Sequence, residues 1–133
     1  MTKQNRTFSI KSRLRSFAHA FTGFGDMLFT EHNAWVHAVA TILALDFAWW
    51  LGINRVEWVL IIVAIVLVWT TEAFNTVLEI MADLVVRQRY SRIVKRAKDI
   101  AAAAVLIASI GALSIGIIIL GPPLWQRLSP FFT

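Results

Sequence analysis

The chain has 133 residues, of which 58% are hydrophobic and 16% charged, with a mean hydropathy of +0.67, a balance that a water-soluble domain of this size does not carry. Its net charge of +5 comes from basic residues clustered beside apolar runs, which reads as membrane topology rather than as a groove for nucleic acid, so no nucleic-acid partner is expected. Cysteine is absent, which excludes disulfides and thiolate metal sites and leaves carboxylates, amides and histidines to hold a hard cation such as magnesium.

The first ten residues are polar and lack the apolar stretch and small-residue cleavage site of a signal peptide, so the first residues are expected to be retained. From about residue 8 to 30, Ile10, Leu14, Phe17, Phe21, Phe24 and Leu28 recur at steps of three and four, with Lys11, Arg13, Arg15 and His19 off that stripe. The pattern predicts an amphipathic helix, lying either in the membrane interface or against the protein's own cytoplasmic end. Three longer apolar runs follow, at about 34–52, 56–78 and 97–120, each near the roughly 20 residues that a helix needs to cross a bilayer. The expected fold is therefore an all-α membrane protein, one domain over 1–133, with three transmembrane helices and an N-terminal interfacial helix.

The first two spans are joined only by Ile53-Asn54-Arg55, which allows nothing but a tight helical hairpin. The second connection carries Arg87, Arg89, Arg92, Lys95 and Arg96, and the N-terminal segment carries Lys3, Arg6, Lys11, Arg13 and Arg15. Positive residues favour the cytoplasmic side, so both are expected there and the C-terminus outside. Trp35, Trp49, Trp50, Trp58 and Trp125 fall at the span edges, as interfacial aromatics do. In the third span Ala104, Ala108, Ala112 and Gly116 are four apart, a small-residue ridge that admits a second helix at close range and predicts an oligomer or tight packing within the chain.

Chemistry concentrates in the second span. At about 100° per residue, Glu79 and Asp83 lie within about 20° of Glu72 and Asn75 about 60° away, so four polar groups share one stripe. An acid at the centre of a bilayer costs at least roughly 2.5 kcal/mol on the most lenient scale, which makes an idle row of them hard to explain. Asp83 could merely pair with the basic loop. Glu72 sits about 10 Å deeper than Glu79 by the helical rise, with no basic neighbour in sequence. Glu31 precedes the first span, and Lys98 and Asp99 open the third; a bundle brings them with Glu72, Asn75 and Glu79 toward one cytoplasmic-side site. For Asp99 a macrodipole role in the first helical turn is the simpler alternative, and for Lys98 snorkelling. Asp46 lies apart and suits a packing or water-cavity contact, and His19, His32 and His37 do not form a metal site by spacing. Carboxylates for a divalent cation, a cationic loop for anions and a buried carboxylate base together make the set that phosphoryl transfer needs. No GxxxxGK or GxGxxG is present, so nucleotide binding by a common soluble-kinase loop is excluded. The rival reading is a non-catalytic or proton-conducting small oligomer that uses the same carboxylates.

The segment Glu72-Ala73-Phe74-Asn75-Thr76-Val77-Leu78-Glu79-Ile80-Met81-Ala82-Asp83 resembles the E-x-x-N-(T/S)-x-x-E-x-x-x-D signature of the prokaryotic diacylglycerol kinase family, which includes undecaprenol kinases. The resemblance runs from about Phe17 to Leu120, with Glu31, His37 and Ala97-Lys98-Asp99 at matching places. It implies a homotrimeric enzyme of the bacterial inner membrane that passes the γ-phosphate of ATP, with Mg2+, to a lipid alcohol such as diacylglycerol or undecaprenol. It implies Glu72 as general base, Glu31 and Glu79 as metal and ATP ligands, Asp83, Lys98 and Asp99 as ATP-site residues, and Asn75 as a positioning residue. The loop Arg87-Gln88-Arg89-Tyr90-Ser91-Arg92 departs from the family pattern, and Tyr90 alone aligns there.

Overall fold

The computed structural model describes residues 9–86 and 91–132. Within them the chain is helical, as α1 (Ile10–Thr30), α2 (His32–Leu51), α3 (Arg55–Val86) and α4 (Arg92–Leu128), followed by a short 3-10 turn at Ser129–Phe131. Three of these helices, α2, α3 and α4, are long and apolar enough to cross a membrane. Arg87, Gln88, Arg89 and Tyr90 of the basic loop, and Lys3 and Arg6 of the N-terminal cluster, lie outside the described residues.

The breaks between helices follow from single residues. Glu31 adopts an extended backbone, φ −101° and ψ 118°, which separates α1 from α2. At the other end of α2, Gly52 takes φ 68°, a left-handed conformation that costs glycine nothing because it has no Cβ. The turn closes with Gly52 N–H donating to Trp49 O (3.2 Å) and Ile53 N–H to Ala48 O (3.3 Å), the paired bonds of a Schellman ending. Two residues later α3 starts on a reciprocal cap. The Asn54 side-chain oxygen accepts from the Val56 and Glu57 N–H groups at 2.9 and 3.1 Å, and Asn54 N–H donates to Glu57 Oε2 at 2.8 Å. An Asn-x-x-Glu capping box thus satisfies both exposed helix donors and its own backbone. Across this end, the Arg127 guanidinium lies 5.2 Å from the Trp50 ring centroid and ties α4 to α2.

The helices run beyond the apolar stretches that mark them in sequence. With 32 residues, α3 is roughly 48 Å long, against a hydrocarbon core of about 30 Å. Counting from Arg55, Glu72 lies roughly 25 Å along the helix and Glu79 and Asp83 roughly 36 and 42 Å, so a core of that thickness beginning at Arg55 would contain Glu72 and leave Glu79 and Asp83 outside it. A helix set in a membrane in this way would carry its polar row from lipid into water without a break. On α4 the helix continues through Pro122 and Pro123 to Leu128; intramembrane helices tolerate proline where neighbours and local adjustments relieve the freed backbone groups.

The main packing joins α3 to α4, with α2 against both. On α3 the buried positions Ile61, Ala64, Val68, Glu72, Asn75 and Thr76 follow one stripe, so the apolar core and the polar row are the same face at different depths. Most large apolar side chains on the other faces are exposed, as lipid-facing residues of a membrane protein are. Helix α1 docks only through its C-terminal end, where Met27 is buried and Phe24 meets Trp69 with ring centroids 5.0 Å apart. The rest of its stripe stays uncovered, Phe17 and Phe21 included. Of the two placements open from sequence, contact with the chain's own end therefore accounts for its last turns alone.

Candidate active site

Glu72 is the most enclosed large side chain of the described residues, with 0% exposure. Neither of its carboxylate oxygens has a hydrogen-bond partner among those residues. The nearby polar group is His37 on α2, whose Nε2 lies 3.6 Å from Glu72 Oε2. The His37 ring meets the edge of Trp69 at 6.3 Å between centroids, and Trp69 Nε1 donates to Thr41 Oγ1 at 3.1 Å. Across the α2–α3 seam, then, Thr41 holds Trp69, Trp69 supports His37, and His37 faces Glu72.

One turn toward the helix end, Asn75 is buried and its Nδ2 donates to Glu79 Oε1 at 3.2 Å, leaving Oδ1 without a partner. The adjacent Thr76 hydroxyl is likewise buried and unpaired among the described residues. Unmet buried polar atoms are costly, and here several collect on one turn of α3. Farther out, Lys98 of α4 donates to Asp83 Oδ1 at 3.0 Å. Being largely exposed, this pair contributes little to stability, but it holds the Lys98 ammonium beside the α3 row. Glu31, at the break between α1 and α2, acts electrostatically on both Glu72 and Lys98, as does Glu79.

Glu31, Glu72, Asn75, Glu79, Asp83 and Lys98 are thus gathered at one end of the bundle, contributed by the α1–α2 break, α3 and the start of α4. Asp99 is turned elsewhere: its Oδ2 accepts from Lys95 Nζ at 2.7 Å, one turn back on the same helix. Asp46 on α2 is exposed and distant in sequence and depth from this end. No group of three or more acidic or histidine side chains forms a metal cage among the described residues. A magnesium ion does not require one, since it binds through one or two carboxylates and completes its shell with water and phosphate oxygens.

His37 and Trp69 enter the site although residue pattern gives neither a role in it; the family resemblance marks His37 only as a matching position. A usable signal exists: in a tight antiparallel hairpin, residues equally far from the turn come level, and His37 and Trp69 each lie sixteen residues from Ile53. Glu72 is then less than one turn farther along α3. Between α2, α3 and α4, an apolar crevice of about 420 Å3 extends from His37 past Ser109 to Leu124, with Ala112 and Gly116 of the small-residue ridge in its wall.

These features define an all-α membrane protein in which carboxylates, an amide and an ammonium group meet at one end of a three-span bundle. Residues 18–120 match the prokaryotic diacylglycerol kinase family. Relatives include a diacylglycerol kinase of Synechocystis, 35% identical over 111 residues, covering 84% of this chain and 63% of the relative. An undecaprenol kinase of Bacillus subtilis is 32% identical over 110 residues, 83% of this chain and 89% of the relative. A diacylglycerol kinase of Escherichia coli is 31% identical over 108 residues, 81% of this chain and 88% of the relative. The chain belongs to the prokaryotic diacylglycerol kinase family.

Proposed function

We propose that this protein is an ATP-dependent kinase of the bacterial inner membrane that phosphorylates a lipid alcohol, diacylglycerol or undecaprenol, at the cytoplasmic interface. The observation that carries this reading is the fully buried Glu72 at the lipid end of a row that continues through Asn75 and Glu79 to Asp83, with Glu31 and Lys98 beside it. Such a row would reach from the apolar side of the interface, where a lipid held by its chains presents its hydroxyl, to water, where ATP resides.

In the proposed reaction the lipid hydroxyl oxygen attacks the γ-phosphorus, the new O–P bond forms, the bond to the β-phosphate oxygen breaks, and ADP leaves. Glu72 takes the hydroxyl proton. Glu31 and Glu79 would hold Mg2+ together with the ATP phosphates, and the ion, when bound, neutralises phosphate charge. Lys98 leaves Asp83 to meet the same phosphates, and Asn75 orients the reacting groups. Asp99 belongs to the ATP site only if Lys95 releases it. A homotrimer fits the reading as well, because three spans enclose little, and the Ala104-to-Gly116 ridge admits a further helix closely.

The long ionisable-free stretches of two of the three spans weigh against a proton conduit along α3 or α4, and on α2 only His37 and the separate, exposed Asp46 interrupt the apolar run. From Trp58 to Thr71, α3 carries no ionisable side chain, and neither does α4 between Asp99 and Arg127. A path across the bilayer would need them. With the purified protein in mixed micelles and labelled ATP, thin-layer separation should show label in a lipid phosphate from diacylglycerol, undecaprenol or both, dependent on magnesium. No labelled lipid from either, together with proton leakage in liposomes, would favour the conduit.

A further inference from the structure

We infer that His37 is a positioning residue for the proposed base, holding one oxygen of the Glu72 carboxylate so that the other faces the lipid hydroxyl. The inference rests on the reading of Glu72 as the base and adds the group that sets its orientation.

The geometry supports it in three ways. His37 Nε2 and both Glu72 oxygens are buried atoms with no hydrogen-bond partner among the described residues, and Nε2 stands 3.6 Å from Oε2. That separation is longer than a hydrogen bond, and catalytic hydrogen bonds are commonly long before substrate binds and tighten when it does. Second, the imidazole is held in place, since Trp69 packs edge-on against it and is itself fixed to Thr41. A residue that only filled space would need no such support. Third, His37 stands at the head of the apolar crevice, so a ligand lodged between the spans would meet His37 beside Glu72.

A carboxylate has two oxygens, and a free one turns. With the hydrogen on Nε2, His37 donates to Oε2 and fixes the plane of the group, which leaves Oε1 to accept the proton from the substrate hydroxyl. No proton passes through the imidazole in this step. Its hydrogen stays on Nε2, and the O–H bond of the lipid breaks as the O–H bond on Oε1 forms.

The test compares His37→Leu, His37→Gln and His37→Ala in the full chain, purified in micelles, with lipid substrate and MgATP. His37→Leu keeps apolar packing but has no donor, and kcat should fall about 10- to 100-fold, part of the factor that a positioned base contributes, while KM for MgATP stays within about twofold. His37→Gln supplies an amide N–H in place of the imidazole and should recover most of that loss. Imidazole added to His37→Ala should raise kcat with its concentration, because the crevice gives small molecules access to the vacated place. Full activity in His37→Leu alongside an inactive Glu72→Gln would overturn the inference and leave the base intact; full activity in Glu72→Gln would instead remove the base itself. Equal losses in His37→Leu and His37→Gln, with no response to imidazole in His37→Ala, would reduce His37 to packing and also overturn it.

Discussion

Glu72→Gln should lower lipid phosphorylation by at least about 100-fold while MgATP binding stays close to that of the parent chain. The amide preserves the shape and volume of the side chain but cannot take a proton, and a positioned general base contributes roughly 10²- to 10⁴-fold. Because Glu72 is fully buried on the face of α3 that packs against the bundle, removing its charge relieves a desolvation cost, so the variant should fold at least as well as the parent. That separates loss of chemistry from loss of structure. Single-turnover transfer measured beside nucleotide binding on the same sample checks it, and a normal rate with Gln at this position would show that the proton goes elsewhere.

Glu79→Gln should fail in a different way. Glu79 lies two turns farther toward water, half-buried, with Asn75 Nδ2 on its Oε1. As a metal and phosphate ligand its loss should raise KM for MgATP about tenfold or more, which corresponds to about 1.4 kcal/mol, and should shift the magnesium dependence to higher concentration, with the KM for lipid unchanged. Initial rates over a grid of ATP, magnesium and lipid concentrations separate these effects. A fall in kcat alone would assign Glu79 to the chemical step instead.

Much of this arrangement was legible from residue pattern, and the parts that were not have physical causes. The three spans and the tight hairpin followed from apolar length and from a link too short for anything else; the Gly52 turn and the Asn54–Glu57 cap show how that link is built. The row from Glu72 to Asp83 was legible because helical spacing alone puts those residues on one stripe. The true ends of α3 and α4 were not, since hydropathy ceases to mark a helix where its residues become polar, while the backbone hydrogen bonds continue. Partner choice was also hidden. Lys95 and Lys98 are equally available by spacing to the acids around them, and only the packing of α4 on α3 turns Lys98 to Asp83 and leaves Asp99 with Lys95. The His37–Glu72 approach depends on the register of α2 against α3, which a pass along separate helices does not contain.

The central claim is that this chain transfers phosphate to lipid at the end of the bundle where Glu31, the α3 row and the start of α4 meet. Sealed proteoliposomes with MgATP on one side only test it most directly. The described chain has no cysteine, so Ile93→Cys, at an exposed position near the start of α4, reports by reaction with an impermeant maleimide which face that end occupies. Labelled lipid phosphate should form only in vesicles where MgATP meets the face on which the introduced thiol reacts. Transfer driven by MgATP confined to the opposite face, or no transfer from either face, would contradict the claim.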